Sequence, residues 1–443
     1  MEQIFINPDQ SEWNSILQRP VYDSISLEDT VSAILTDVKL NGDKAIKKYT
    51  LKFDLVELKD LRVSDAEISR AISMVSDELK TAISEAKINI EKFHIAQVQP
   101  VQQIETTPGV LCWRKSVPIQ KVGLYIPGGT APLFSTLLML GIPASLAGCK
   151  EIIVCTPCDK NGNVNPVVLY TAQLIGIKNL YKIGGVQAIA AMAYGTSSIQ
   201  QVYKIFGPGN QYVTCAKQLV NKDGLSIDMP AGPSEVAIYA DNSCNAAFVA
   251  ADLLSQAEHG VDSQVILVAA SKMIIDNVNQ EIDRQLPLLS RKNIAASALQ
   301  HSRFIVLENG NTAFDLLNEY APEHLIIASD DALLLSGKVV NAGSIFLGHY
   351  APESVGDYAS GTNHTLPTNG FAKAYSGVSL DSFVKKITFQ YLSEEGIQNI
   401  GNTVEVMAAA EGLDAHKNAV TLRLEAINKK AGNTGETLSV NIN

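Results

Sequence analysis

The sequence predicts an α/β protein made of two incomplete Rossmann-like parallel-sheet domains, with helical segments at its N- and C-terminal ends. Three observations predict it. From Lys121 onward, short apolar runs alternate with longer stretches of helical spacing, the pattern of parallel strands joined by crossover helices. That alternation is completed once before about residue 240 and then occurs again. The flanking stretches carry apolar residues at helical rather than strand spacing.

Composition bounds what such a chain can do. The chain has 443 residues, 46% of them hydrophobic and only 18% charged, which excludes a disordered polymer. Its 35 basic and 46 acidic residues leave a net charge of −11, so it lacks the basic excess of a general nucleic-acid binder. The six cysteines include one CxxC, Cys155 to Cys158, at the end of an apolar run. With no second pair it reads as a buried strand end rather than a zinc or redox motif. Residues 1–10 contain acidic residues and no Arg, unlike a signal or transit peptide. The most apolar stretch, 133–149, is broken by Ser135, Thr136, Gly141, Pro143 and Ser145, so it reads as a buried helix, not a membrane span. A cytoplasmic protein without membrane or nucleic-acid partners is expected.

The elements follow in order. Residues 27–50 and 66–93 read as helices within a mostly helical 1–120. Strands are expected at 121–126, 151–155, 179–183, 202–206 and 236–239, the last closing the first run, with a helix after Gly129 through about 147 and helices at 166–175, 185–194 and 210–219 between them. The second run has helices at 242–259, 272–285 and 312–320, and strands at 264–269, 303–307, 325–328 and 344–347. Residues 348–377 have little periodicity and many Gly, Ser, Thr, Asn and Pro, which reads as a long functional loop. Helices at 398–411 and 414–430 and a frayed tail over 431–443 end the chain. The resulting division is a segment 1–24, a discontinuous α/β domain of 25–120 with 236–377, a second α/β domain of 121–235, and a helical C-terminal segment 378–443.

A parallel sheet invites a dinucleotide, yet no GxGxxG occurs. Gly207-Pro208-Gly209-Asn210-Gln211-Tyr212 lacks the third glycine. Gly128-Gly129 and Gly184-Gly185 do sit between a strand and a helix, where backbone N–H groups can meet a phosphate.

Polar residues with metal or proton chemistry gather elsewhere. Gln256 and His259 lie three apart at the end of an Ala-rich helix, on one face, with Gly260 as the expected C′ residue. Glu323-His324 follows Pro322 at the entry to a strand, where neighbouring side chains diverge and would serve different atoms. Asp357 and His364 fall in the long loop, and Glu411 and His416 flank the Gly412 turn. No HExxH or HxxEH accompanies them, which leaves a zinc-protease motif unsupported.

Taken together, the segments Val122–Gly129, Phe206–Asn210, Asp228–Glu235, Leu253–Gly260, Ala321–Leu325, Glu353–Tyr358, Asn363–Thr368 and Glu411–His416 resemble histidinol dehydrogenase, in that family's order and across most of the chain. The resemblance implies oxidation of L-histidinol to L-histidinal and then L-histidine, with NAD and one Zn2+ per subunit. It implies Gln256, His259, Asp357 and His416 as metal ligands, which also touch substrate. His324 matches the general base and Glu323 the residue that activates water for the second oxidation. Ser234, His324, His364 and Glu411 match further substrate contacts, and Tyr125, Gln187 and Asn210 match dinucleotide contacts. A homodimer is implied, with Glu411 and His416 donated in trans. A relative oxidising another polar alcohol, a zinc hydrolase using Glu323, and a non-catalytic metal binder are the competing readings.

Overall fold

The computed structural model describes residues 3–20, 24–128 and 133–436. Gly129 of the first glycine pair and residues 437–443 of the expected tail lie outside them. The chain forms two compact units, one of 1–97 with 118–383 and one of 98–117 with 384–443.

The larger unit holds two parallel sheets. One has five strands, in the spatial order Asn179–Lys182, Glu151–Thr156, Lys121–Tyr125, Lys204–Phe206, Ser226–Ile227. The other has six: Gln3–Ile6, Arg303–Val306, Gln264–Ala269, Glu235–Ala240, His324–Ala328, Ser344–Leu347. In each, the first strand of the run is central, the second and third extend to one side and the fourth and fifth to the other. That order reverses beside the first strand, which is where α/β sheets open a crevice. Apolar side chains fill both faces of the inner strands: Glu235–Ala240 and Gln264–Ala269 are buried along their whole length, as expected of parallel strands covered by helices.

Several elements differ from the sequence-based expectation. The strand at 235–240 does not close the first run; it is central in the six-stranded sheet. The N-terminal helical region contains Ser24–Asn41, Asp43–Asp54, Asp65–Met74 and Asp77–Ile95. These pack around the five-stranded sheet: Val31, Ile34, Val38 and Ile46 meet Ile189, Ile205 and Val213, and Ile83 and Ile90 meet Leu138, Met139 and Ile142. The helix expected after Gly129 through about 147 forms as Phe134–Ala147, buried along most of its length despite Pro143. Within the loop 348–377 a short helix, Glu353–Tyr358, forms.

The segment before Trp13 is tied back by Gln3–Ile6 at the sheet edge. Arg19 then reaches Glu235: its Nε and Nη2 donate to the two carboxylate oxygens at 2.6 and 2.9 Å, and Nη2 also donates to the Tyr320 carbonyl at 2.7 Å. The Tyr320 hydroxyl donates to Gln264 Oε1 at 2.9 Å. This cluster braces the start of strand Glu235–Ala240 from behind.

The smaller unit has three strands the sequence reading did not anticipate, in the order Val384–Leu392, Val110–Pro118, Gln103–Thr107. The last two are antiparallel. Helices Glu394–Ala410 and Asp414–Glu436 follow. Gly412 takes φ +70°, and Leu413 N–H returns to the Ala408 carbonyl at 2.8 Å, a left-handed helix stop of the expected kind. Among the described residues no helix is long and apolar enough to cross a membrane.

Candidate active site

The six-stranded sheet gathers the acid–base and metal-type residues at the N-terminal edge of its strands. Helix Ala246–Ala257 runs back along strand Glu235–Ala240, so its C-terminal end returns to that edge with Gln256 buried and His259 just beyond the helix. Gly260 does not take the left-handed conformation expected of it; Glu258 closes the helix and His259 follows in its place. Helix Glu353–Tyr358 brings in Glu353 and Asp357, one turn apart and so on one face. Nitrogen and oxygen atoms of His259, Glu353 and Asp357 lie within 4.8 Å of one another.

Glu323 and His324 enter from the turn after Ala321, whose φ is +52°. Both are buried. They do not diverge as expected: Glu323 Oε2 lies 3.7 Å from His324 Nδ1. Pleat alternation fails because Glu323 precedes the strand, which begins at His324. Glu323 Oε2 also accepts the Glu235 N–H at 3.0 Å. His324 Nδ1 lies 3.3 Å from the Glu235 carbonyl, a donor contact if Nδ1 carries the proton. Its Nε2 has no hydrogen-bond partner among the described residues and points towards Asp357 Oδ1 at 3.5 Å.

These groups set one another's charge. Burial pushes the Glu323 carboxyl up to about 8, with His324 pulling the other way. Burial likewise raises Glu353, again opposed by His324. Burial favours neutral His324, but Glu353, Glu323 and Asp357 outweigh it and hold the imidazole well above its ordinary range. Burial lowers His259, with Asp357 opposing. It acts against the Asp357 charge too, yet His324 holds that carboxyl below its usual value.

His364 joins through the same loop. Its Nδ1 meets the Asp357 carbonyl at 2.9 Å and its Nε2 the Thr136 hydroxyl at 3.1 Å. Ser234 stands at the entry to strand Glu235–Ala240. Glu411 and His416 belong to the smaller unit, at and just after its helical turn, and both are exposed.

Two residues beside the site were missed in the sequence reading. Glu235 supplies the backbone contacts to Glu323 and His324. Glu353 stands four residues before Asp357, a helical spacing that a segment read as loop concealed.

The five-stranded sheet carries a separate cavity of ≈ 1120 Å³ at the C-terminal edge of its strands, lined by Tyr125, Gly128, Gly184, Gly185, Gln187 and Asn210 among others. The Tyr125 hydroxyl accepts the Gly185 N–H at 3.1 Å. Gln187 is buried, and its Oε1 has no hydrogen-bond partner among the described residues. Asn210 caps helix Gln211–Lys222 by accepting from Tyr212 and Val213 N–H at 3.1 and 3.2 Å. Gly207 holds the turn before it at φ +126°, and a Cβ there would stand 2.1 Å from the Tyr125 carbonyl oxygen. Lys217 donates to the Gly207 carbonyl at 2.8 Å and pairs with Asp228, which accepts the Gly207 N–H at 2.8 Å.

Comparison with known proteins shows the family. The family model described as histidinol dehydrogenase matches residues 17–424. A histidinol dehydrogenase from Bacteroides fragilis is 60% identical over 422 residues, 95% of this chain and 99% of the relative. One from Vibrio parahaemolyticus is 50% identical over 421 residues, 94% of this chain and 97% of the relative. The crystal structure of histidinol dehydrogenase from Elizabethkingia anophelis superposes with a TM-score of 0.95 at 57% identity, covering 96% of this chain and 99% of that one.

Proposed function

This chain belongs to the histidinol dehydrogenase family, and from that premise we propose that it oxidises L-histidinol to L-histidinal and L-histidinal to L-histidine, the closing steps of histidine biosynthesis, with NAD and one Zn2+ per subunit in the cytoplasm. The observation that carries the reading is the meeting of Gln256, His259 and Asp357 with Glu323 and His324 at one sheet edge.

The residues fit a zinc ion. His259 and Asp357 bring an imidazole and a carboxylate close together. Gln256 is buried beside them. Gln256, His259, Asp357 and His416 would hold the metal, an N/O set with one anionic member. When bound, Zn2+ supplies Lewis-acid positioning of the substrate's nitrogen donors rather than a hydroxide nucleophile. The cavity at Tyr125, Gln187 and Asn210 fits a dinucleotide: Gln187 Oε1 awaits a donor and the glycine turns let backbone approach a phosphate. When bound, NAD accepts the two hydrides.

The chain's own groups handle the protons. In its neutral form, reached by shedding the proton that Glu353, Glu323 and Asp357 favour, His324 gives Nδ1–H to the Glu235 carbonyl and takes the hydroxyl proton at Nε2 as the hydride leaves the carbinol carbon. Glu323 takes a proton from the water that adds to the aldehyde carbon, and the second hydride leaves from that hydrate. The carboxylate product follows, so one histidinol, one water and two NAD+ give one histidine carboxylate, two NADH and three protons. Ser234, His364 and Glu411 contact the substrate, Glu411 suiting its cationic amine. The subunits pair as a homodimer in which Glu411 and His416 serve the partner's site. Their exposure supports this, as do the exposed apolar Val406, Met407 and Leu422 on the same two helices.

The test sets substrates side by side with the zinc-loaded protein. NADH and histidine should form from L-histidinol. Turnover of a sulfonated diol but not histidinol would replace this reading with a different dehydrogenase. Hydrolysis of a peptide or ester without NAD would replace it with a hydrolase, and zinc binding with no turnover would leave a metal-binding protein.

A further inference from the structure

Glu353 has no part in the chemistry above, yet it is only 2% exposed. Burial favours its neutral acid, so a carboxylate in this place needs hydrogen-bond donors and nearby positive charge to offset its lost hydration. Its partner is Gln256. One polar atom of the Gln256 amide stands 2.6 Å from Glu353 Oε1 and 3.2 Å from Oε2; beside an ionised Glu353 an oxygen there would face only acceptors, so the amide is assigned with its NH2 group turned to the carboxylate. Gln256 is itself fully buried. The same carboxylate lies within 4.8 Å of the ligand atoms of His259 and Asp357, and 4.0 Å from His324 Nδ1.

An amide has two faces of opposite sign. Its oxygen is a metal donor; its NH2 group repels a cation. The two orientations have the same shape, so packing alone does not choose between them, and a hydrogen-bond partner must. We propose that Glu353 is a positioning residue for the metal centre, fixing the Gln256 NH2 so that Oε1 is the atom presented to the ion. By accepting two hydrogen bonds it also polarises the amide and makes that oxygen the stronger donor, the usual work of a group behind a ligand. The inference rests on Gln256 being a metal ligand as read above.

Zinc affinity of the full-length protein, measured by chelator competition, tests it. Glu353→Gln keeps the shape but offers its own NH2, and should weaken zinc binding by roughly 10- to 100-fold. Glu353→Asp, one methylene too short, should weaken it similarly. In a Gln256→Ala background, Glu353→Gln should have little further effect, because its target is gone. The visible spectrum of the Co2+-loaded Glu353→Gln protein at saturating metal should match that of the unaltered protein. Unchanged zinc affinity in Glu353→Gln and Glu353→Asp would overturn the proposal while leaving the metal site intact. An altered Co2+ spectrum with additive losses would overturn it in favour of Glu353 as a direct ligand. Failure of the unaltered protein to bind zinc would overturn both this and the reading beneath it. Thermal melting of each variant separates lost affinity from lost fold, and a folded Glu353→Asp protein suffices if Glu353→Gln does not fold.

Discussion

At the level of single residues, catalysis turns on which carboxyls hold a proton. Burial holds Glu323 at about 8, so below that pH it is mostly the neutral acid and cannot accept a proton from water. Above it the carboxylate forms and the base is available. Oxidation of L-histidinal should therefore accelerate as pH rises through about 8, and stopped-flow rates across that range will show it. Glu323→Gln should remove this rising limb and slow the second oxidation by roughly 10²- to 10⁴-fold, the usual worth of a positioned base. Equal slowing of both oxidations would count against the assignment. The candidates Gln256, His259, Glu323, His324, Asp357 and His364 stood out in the sequence because such side chains recur in segments held by Gly and Pro rather than by core periodicity. What was not legible was their mutual direction. Glu323 and His324 were expected to diverge as strand neighbours, but Ala321 at positive φ turns the chain just before the strand begins. Glu353 went unnoticed because a six-residue helix is too short to produce a periodic signal.

At the scale of elements, the turn Phe206–Asn210 carries the dinucleotide reading. Gly207 sits at φ +126° against the Tyr125 carbonyl, while Asp228 accepts its N–H and Lys217 donates to its carbonyl. Gly207→Ala forces both a strained backbone and a steric clash. Strain of about 1–3 kcal/mol corresponds to roughly 5- to 150-fold in an equilibrium, and the loop must shift to relieve it. NADH fluorescence titration should show binding weakened on that order, with zinc content unchanged. Undiminished NADH binding would place the dinucleotide elsewhere. The inner strands of both parallel sheets were legible because burial on two faces makes them continuous apolar runs, whereas the two-residue edge strand Ser226–Ile227 was not. The strands of the smaller unit were not: Gln103–Thr107 is almost wholly exposed and Val384–Leu392 is largely so, which leaves no such run to read. The edge strand Gln3–Ile6 was hidden for the same reason, with Ile4 and Ile6 exposed.

For the whole molecule, periodicity identifies the buried face of a helix but not its partner. The helices of residues 24–95 were therefore grouped with the later sheet, and they pack around the five-stranded one. The subunit-exchange proposal belongs to this scale as well. If His416 serves the partner's site, His259→Asn and His416→Asn proteins are each inactive alone, but mixed dimers contain one intact site. Random reassembly of equal amounts should restore about a quarter of full activity, from half the dimers having one good site of two. No restored activity in demonstrably mixed dimers would mean that both residues act within one subunit. The most direct test of the central claim is a count of reducing equivalents. With limiting L-histidinol, excess NAD and zinc-loaded protein, the account predicts two NADH for each histidinol consumed and one histidine formed. One NADH per histidinol with L-histidinal as the end product, or no NADH at all, would contradict it.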